Sequence, residues 1–216
     1  MAVQDDAREQ ELAELFELEQ PDTGRSGTDA ILCIDEQTVE FELKSTTRGS
    51  VTTVRDFGPE HVAKWTGKHW LIGFYNLAGT QLKYSIYGSP QAMAPWIEEK
   101  ARYVKPDFDL AEAVPSLVTQ QIVEGILGEK EIYTIEDARS IQKRQYRSEQ
   151  YRQLMDVLGG FTPDRMLEII RERTQYLLSR GATLNNPHIP ARYFDGWEHI
   201  TQNHAQRLRE LVRQVL

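Results

Sequence analysis

The chain has 216 residues, 40% hydrophobic and 27% charged, with a formal net charge of −8 at pH 7, as in an ordinary globular protein of one or two domains. No run of about 18 apolar residues occurs, which excludes a transmembrane helix, and the single cysteine, Cys33, excludes an intrachain disulfide framework or a multi-cysteine zinc site. The start, Met-Ala-Val-Gln-Asp-Asp, lacks the basic and apolar regions of a secretory signal, so a reducing cytoplasmic location is expected.

Residues 5–19 predict a helix, with Leu12, Leu15, Phe16 and Glu19 at helical spacing and an acidic first turn; Pro21, Gly24 and Gly27 end it. Residues 28–45 predict a β-hairpin, because Val39, Phe41 and Leu43 alternate with Glu40, Glu42 and Lys44 around the polar break Asp35-Glu36. The β-branched run 50–57 predicts a third strand, and Gly58-Pro59 opens a short helix through Trp65. The apolar run 69–76 predicts a buried central strand, followed by a strand over 81–87 and a helix over 90–103.

Beyond residue 110 the pattern is helical: 115–127, a helix from the capping box at Thr134 and Asp137 to Gly159-Gly160, and one from Thr162-Pro163 to Gly181. A polar loop spans 182–193, and a last helix runs from Phe194 to about Val215. Strands in the first half and helices in the second predict an α+β (mixed α/β) fold, a mixed central sheet flanked by helices with a helical C-terminal half.

The charge is unevenly spread. Residues 1–42 hold 13 acids and two bases, whereas residues 43–216 hold 20 acids and 23 bases, so the later chain is the half that could face a polyanion. After residue 100 there are 13 Arg and three Lys, a bias toward the side chain that grips phosphate or guanine with two bonds.

The hairpin carries the chemistry. With Asp35 and Glu36 in the turn, Ile34 opposes Gln37, Leu32 opposes Val39, Ala30 opposes Phe41, and Asp29 opposes Glu42. Opposed side chains share a face about 5 Å apart. One face is then apolar and core-forming, and the other sets Asp29 beside Glu42 with Lys44 two residues on. Two opposed carboxylates repel unless something offsets their charge. A divalent cation would do so, and all-oxygen ligands suit Mg²⁺ completed by water and phosphate. The lysine would orient, or help deprotonate, an attacking water, which together makes a phosphodiester-hydrolysing site.

Asp29 followed by Glu42-Leu43-Lys44 resembles the PD-(D/E)XK nuclease signature, an Asp on one strand and Glu-x-Lys on the next. The resemblance covers roughly residues 5–90. The chain length and the Ser-Thr-Thr-Arg after Lys44 resemble type II restriction endonucleases, although Thr28-Asp29 stands where the pattern often has Pro-Asp. The resemblance implies a restriction-endonuclease-like αβββαβ core. It implies Mg²⁺-dependent hydrolysis of double-stranded DNA at a short specific sequence by a homodimer in a prokaryotic cytoplasm. Asp29 and Glu42 would be metal ligands and Lys44 the third catalytic residue. A helix acid, among Glu11, Glu14 and Glu17, could join the site, as could Glu40. Residues 1–105 would form the catalytic core, and 106–216 a helical region for DNA recognition and dimerisation. A repair or junction-resolving nuclease and a non-catalytic DNA-binding protein are the alternatives.

DNA contacts are expected from Thr46, Thr47, Arg48, Ser50 and Arg55 beside the catalytic strand and from Lys64 and Lys68 near the middle helix. Arg144 and Arg147 would meet phosphate. Asn185, Asn186, His188 and Arg192 lie in the polar loop, where Asn and Arg can read adenine and guanine edges. The five histidines show no ligand spacing, and Cys33 is expected as a half-buried thiol.

Overall fold

Period-two alternation makes the hairpin at the centre of the fold. In the computed structural model, which describes residues 2–21, 27–143 and 146–216, β1 (Ala30–Ile34) pairs antiparallel with β2 (Gln37–Thr46) in the predicted register, Ala30 opposite Phe41 through Ile34 opposite Gln37. Asp35 and Glu36 both take left-handed backbone, with φ of 48° and 65°. Two such residues make the type I′ turn whose twist matches the strands. The Arg213 guanidinium grips the Asp35 carboxylate at 2.8 and 3.2 Å and helps hold a turn that lacks Asn or Gly.

Polypeptide returns through α2 (Pro59–Trp65) to β4 (His69–Tyr75), which lies parallel to β2 with Glu42 beside Trp70 and Lys44 beside Ile72. A parallel neighbour needs such a crossover. β5 (Leu82–Gly88) then pairs antiparallel with β4, so the mixed sheet runs β1-β2-β4-β5. Every residue of β4 is buried, as its unbroken apolar run requires of a central strand.

The third predicted strand is only β3 (Val51–Thr52), and it leaves the central sheet to pair with β6 (His188–Ile189), inside the region expected as a loop. Beside β1 the sheet is instead extended by a single antiparallel bridge between Glu19 and Ile31. Above the sheet, α1 (Ala2–Leu15) places Leu12 and Ala13, with Phe16 just beyond it, on Ala30, Leu32, Phe41, Leu43 and Leu71. Elsewhere Trp65, Trp70 and Trp96 pack edge-on and tilted at 5.2–6.3 Å, and all three are buried.

α3 (Pro90–Ala113) outruns its predicted end. α4 (Gln120–Leu127) is preceded by a 3-10 turn, and α5 (Ile135–Gln142) opens with the predicted capping box at Thr134 and Asp137. That helix stops at Lys143, whose φ is 46°, rather than reaching Gly159-Gly160. α6 (Ser148–Leu154), α7 (Pro163–Ala182) and α8 (His204–Arg213) follow. The predicted last helix is shortened because Gly196 and Asn203 take positive φ; Phe194 ends a 3-10 turn.

The chain divides into two units. One comprises Met1–Tyr103 with Leu184–Leu216, so the last segment belongs with the sheet rather than with the expected helical region. Its core includes Ile200, Leu208 and Val212 beside Leu12 and Phe16. The other, Val104–Thr183, packs helices around Val123, Tyr133, Tyr151, Phe161, Met166 and Ile169, with an antiparallel bridge between Tyr133 and Phe161. Among the described residues, no helix is long and apolar enough to cross a membrane.

Candidate active site

The residue before β1 and two residues of β2 converge at the end of the hairpin. The Leu43 amide donates to Asp29 Oδ2 at 3.0 Å, which ties that carboxylate to the neighbouring strand. The Glu42 side chain is only 4% exposed, and its Oε2 is buried and accepts no hydrogen bond. Lys44 Nζ lies 2.8 Å from Glu42 Oε1 and 3.6 Å from Asp29 Oδ2, and it also donates to the Leu43 carbonyl at 2.6 Å. The three residues read as catalytic are therefore in one contact group.

Two further side chains complete it. Lys64, in the last turn of α2, places Nζ 3.7 Å from Asp29 Oδ1 and 3.4 Å from Glu42 Oε2. Glu9, on α1, places Oε1 3.8 Å from Lys44 Nζ. The acid that α1 contributes is thus Glu9, not Glu11, Glu14 or Glu17. Glu11 instead accepts from the Tyr75 hydroxyl at 3.0 Å. Glu9 stands three residues before Leu12 and seven before Phe16, so an acid on the buried stripe of α1 was the signal for it. For Lys64 the sequence offers no comparable signal.

Electrostatics follow from this packing. Burial works against the charged form of Lys44, but Glu42, then Glu9 and Asp29, outweigh it and hold its ammonium well above the usual lysine range. Burial likewise opposes ionisation of Glu42, yet Lys44 and then Lys64 pull its carboxyl below the usual range. Glu9 goes the other way: burial, with help from Asp29 and Glu42, pushes it up to about 7 despite Lys44. Three acids and two lysines thus share one small volume, and the repulsion expected between Asp29 and Glu42 is met here by two ammonium groups.

Two members of the group, Glu9 and Lys44, border a cleft of about 630 Å³ within the sheet-bearing unit. They line it together with Thr46, Thr47, Arg48, Ser50, Asn186 and His188, so six of the expected DNA-contacting residues share a cavity with Lys44. The Thr46 hydroxyl accepts from the Arg48 amide at 3.0 Å and lies 2.8 Å from the Ser50 carbonyl, so Thr46 mainly shapes the loop. His188 Nδ1 lies 3.4 Å from the Thr52 hydroxyl, across the β3–β6 pair.

Other expected contacts lie elsewhere. Lys64 faces the carboxylates rather than a duplex. Lys68 is 5% exposed, donating to Thr28 Oγ1 at 3.0 Å and lying 3.4 Å from Glu40, so burial corrects its assignment to phosphate. Glu40 in turn pairs with Lys68 and is set apart from the Asp29–Glu42 pair. Arg55, Asn185 and Arg192 are exposed and do not line the cleft. Arg147 begins α6 in the helical unit, and Arg144 lies outside the described residues. Cys33, expected half-buried, is exposed, because its side chain falls on the hairpin face away from the core.

Among the described residues no group of three or more His, Cys, Asp or Glu is gathered to hold a metal ion. Asp29 and Glu42 nevertheless fit Mg²⁺, which takes hard oxygen donors from one or two carboxylates and fills its shell with water and phosphate. The buried, unbonded Glu42 Oε2 is a donor of that kind. No known family model matches the chain, and no curated protein matches it.

Proposed function

We propose that the chain is a Mg²⁺-dependent endonuclease of the PD-(D/E)XK type that hydrolyses phosphodiester bonds of double-stranded DNA. The observation that carries this reading is the convergence of Asp29, Glu42 and Lys44 in one contact group, whose lysine lines a polar cleft. Asp29 and Glu42 would hold Mg²⁺, which when bound supplies Lewis-acid polarisation of the phosphoryl oxygen. Lys44 stays protonated at neutral pH, so it serves as a donor and fixed positive charge. It orients the attacking water and stabilises charge building on the phosphoryl oxygens, and it does not abstract a proton. Arg48, Thr47 and Ser50 offer donors to the scissile backbone within the same cleft.

By the same resemblance the reading extends to a type II restriction endonuclease. Cutting both strands of a palindrome calls for two sites related by a two-fold axis, hence a homodimer. A second reading, a non-catalytic DNA-binding protein, draws on the charge balance already supplied by Lys44 and Lys64. One digestion separates the readings. The protein is incubated with a sequenced phage DNA and Mg²⁺, beside Asp29→Ala and Glu42→Ala. Discrete fragments sharing one short end sequence, lost in both variants, support the restriction reading. A smear, or cutting only of branched DNA, moves it to another nuclease, and no divalent-dependent cutting leaves the non-catalytic protein.

A further inference from the structure

The charge between Asp29 and Glu42 is partly met by a residue the hairpin does not supply. The two lysines divide the four carboxylate oxygens evenly. Lys44 lies on Asp29 Oδ2 and Glu42 Oε1, at 3.6 and 2.8 Å, while Lys64 lies on Asp29 Oδ1 and Glu42 Oε2, at 3.7 and 3.4 Å. Each ammonium thus spans both acids. They are not equally fixed. Lys44 pairs with Glu42 at 2.8 Å and adds a hydrogen bond to the Leu43 carbonyl, and its side chain is 13% exposed. Lys64 keeps ion-pair distances only, against an Oε2 that accepts no hydrogen bond, and its side chain is 23% exposed.

The backbone under Lys64 is well anchored even so. Trp65, the next residue, is buried against Phe57, Trp70 and Trp96 at ring distances of 5.2–5.9 Å. The long lysine stem can therefore swing from a fixed root. A divalent cation held by these two acids would repel an ammonium 3.4–3.7 Å from the same oxygens, so the binding of one favours the departure of the other.

We propose that Lys64 is a resident stand-in for the divalent cation: it bridges Asp29 and Glu42 in the metal-free protein and leaves the pair as the cation binds. The inference rests on the reading of those two acids as metal ligands. It assigns Lys64 a positioning role that keeps the ligands close together before the metal arrives, at a cost in metal affinity.

Calorimetric titration of the full-length protein with Mg²⁺, and separately with Ca²⁺, without DNA, tests it. A nearby positive charge changes a carboxylate's affinity for a proton by roughly ten- to a thousandfold, and affinity for a divalent cation moves the same way. Lys64→Met is therefore expected to bind either ion about tenfold more tightly than wild type. Asp29→Asn, which removes a ligand, is expected to abolish the binding. In the wild type, acylation of Lys64 by an amine-reactive reagent, read by peptide mass spectrometry, is expected to rise several-fold when Ca²⁺ is added. Lys44 is expected to stay protected. Unchanged Lys64 acylation, or equal or weaker ion binding in Lys64→Met, overturns the displacement while leaving the metal site standing. Absence of Asp29-dependent ion binding in both wild type and Lys64→Met overturns the metal site and this inference with it. Should Lys64→Met fail to fold, the acylation measurement decides alone.

Discussion

Lys44 sits among three carboxylates with its proton held tightly, so its structural role and the chemical role proposed for it are separable by measurement. Lys44→Ala leaves the buried Glu42 without its 2.8 Å partner, which is expected to lower the metal-free stability by about 3 kcal/mol. It is also expected to slow single-turnover cleavage by about 10²–10³-fold even at a temperature where the variant is fully folded. Calorimetry and quench-flow kinetics on one preparation check both. Glu9 gives a pH signature. Its folded carboxyl keeps a proton up to about 7, against the usual 4.5, so between those values the native chain binds more protons than the unfolded one. Stability from this group is full below about 4.5 and is lost as pH rises to about 7. Glu9→Gln cannot suffer that loss. In EDTA it is expected to match wild type in acid and exceed it above neutral pH by on the order of 1–3 kcal/mol, read from urea melts. Asp29, Glu42 and Lys44 were legible because strand period and turn position fix which side chains share a face. Lys64 was not, because nothing local says how a one-residue rotation of α2 settles against the sheet.

At the scale of elements, the site depends on how closely α1 lies on the sheet. Gly73, in the middle of β4, leaves no room for more: a Cβ there would stand 3.0 Å from both Leu12 methyl carbons and from the Tyr75 ring. Leu12 is fully buried and has little space to yield. Gly73→Ala is expected to cost about 1–3 kcal/mol and, by lifting α1, to draw Glu9 away from Lys44. Thermal melts would show the first effect and a weakened pH dependence of stability the second. The strands β1, β2, β4 and β5 were legible in the sequence from alternation and from the apolar run. β3 was not, because a β-branched run reports a preference for extended backbone and not which neighbour it pairs with. Its partner, β6, lies in a two-residue stretch of a Pro- and Asn-rich segment, too short for any periodic signal.

For the whole molecule, the proposed function requires a chain of net charge −8 to meet DNA. Binding is expected to fall steeply with salt, since each phosphate neutralised releases counterions. Arg147→Ala, if Arg147 touches phosphate alone, is expected to flatten the log–log salt slope by about one unit and weaken all sequences alike. Arg192→Ala, if Arg192 reads a guanine, is expected to cost about 1–3 kcal/mol at one base pair and leave the slope unchanged. Fluorescence anisotropy across a salt series, with specific and scrambled duplexes, distinguishes the two; wild-type behaviour in both variants would place the DNA elsewhere. The acidic start and basic remainder were plain in the sequence. The return of the last segment to the sheet was not, because apolar residues such as Ile200 and Leu208 show that they are buried without showing against what.

That return also sets an order of events during synthesis. α8 supplies Leu208 and Val212 to the core beneath α1, Ile200 bridges to Ser85 at the edge of the sheet, and Leu184 bridges to Phe57. The Tyr193 hydroxyl reaches the Ala92 carbonyl at 2.6 Å, and Arg209 lies 3.2 Å from Glu17. Domains usually complete themselves in the order in which they leave the ribosome. Here the sheet-bearing unit, begun first, must wait while all of Val104–Thr183 is made, and it closes only when Leu184–Leu216 arrives. The helical unit can finish earlier although it starts later. A nascent chain that already carries Asp29, Glu42 and Lys44 therefore lacks Asn186, His188 and the β6 wall of the cleft until Val104–Thr183 has been made.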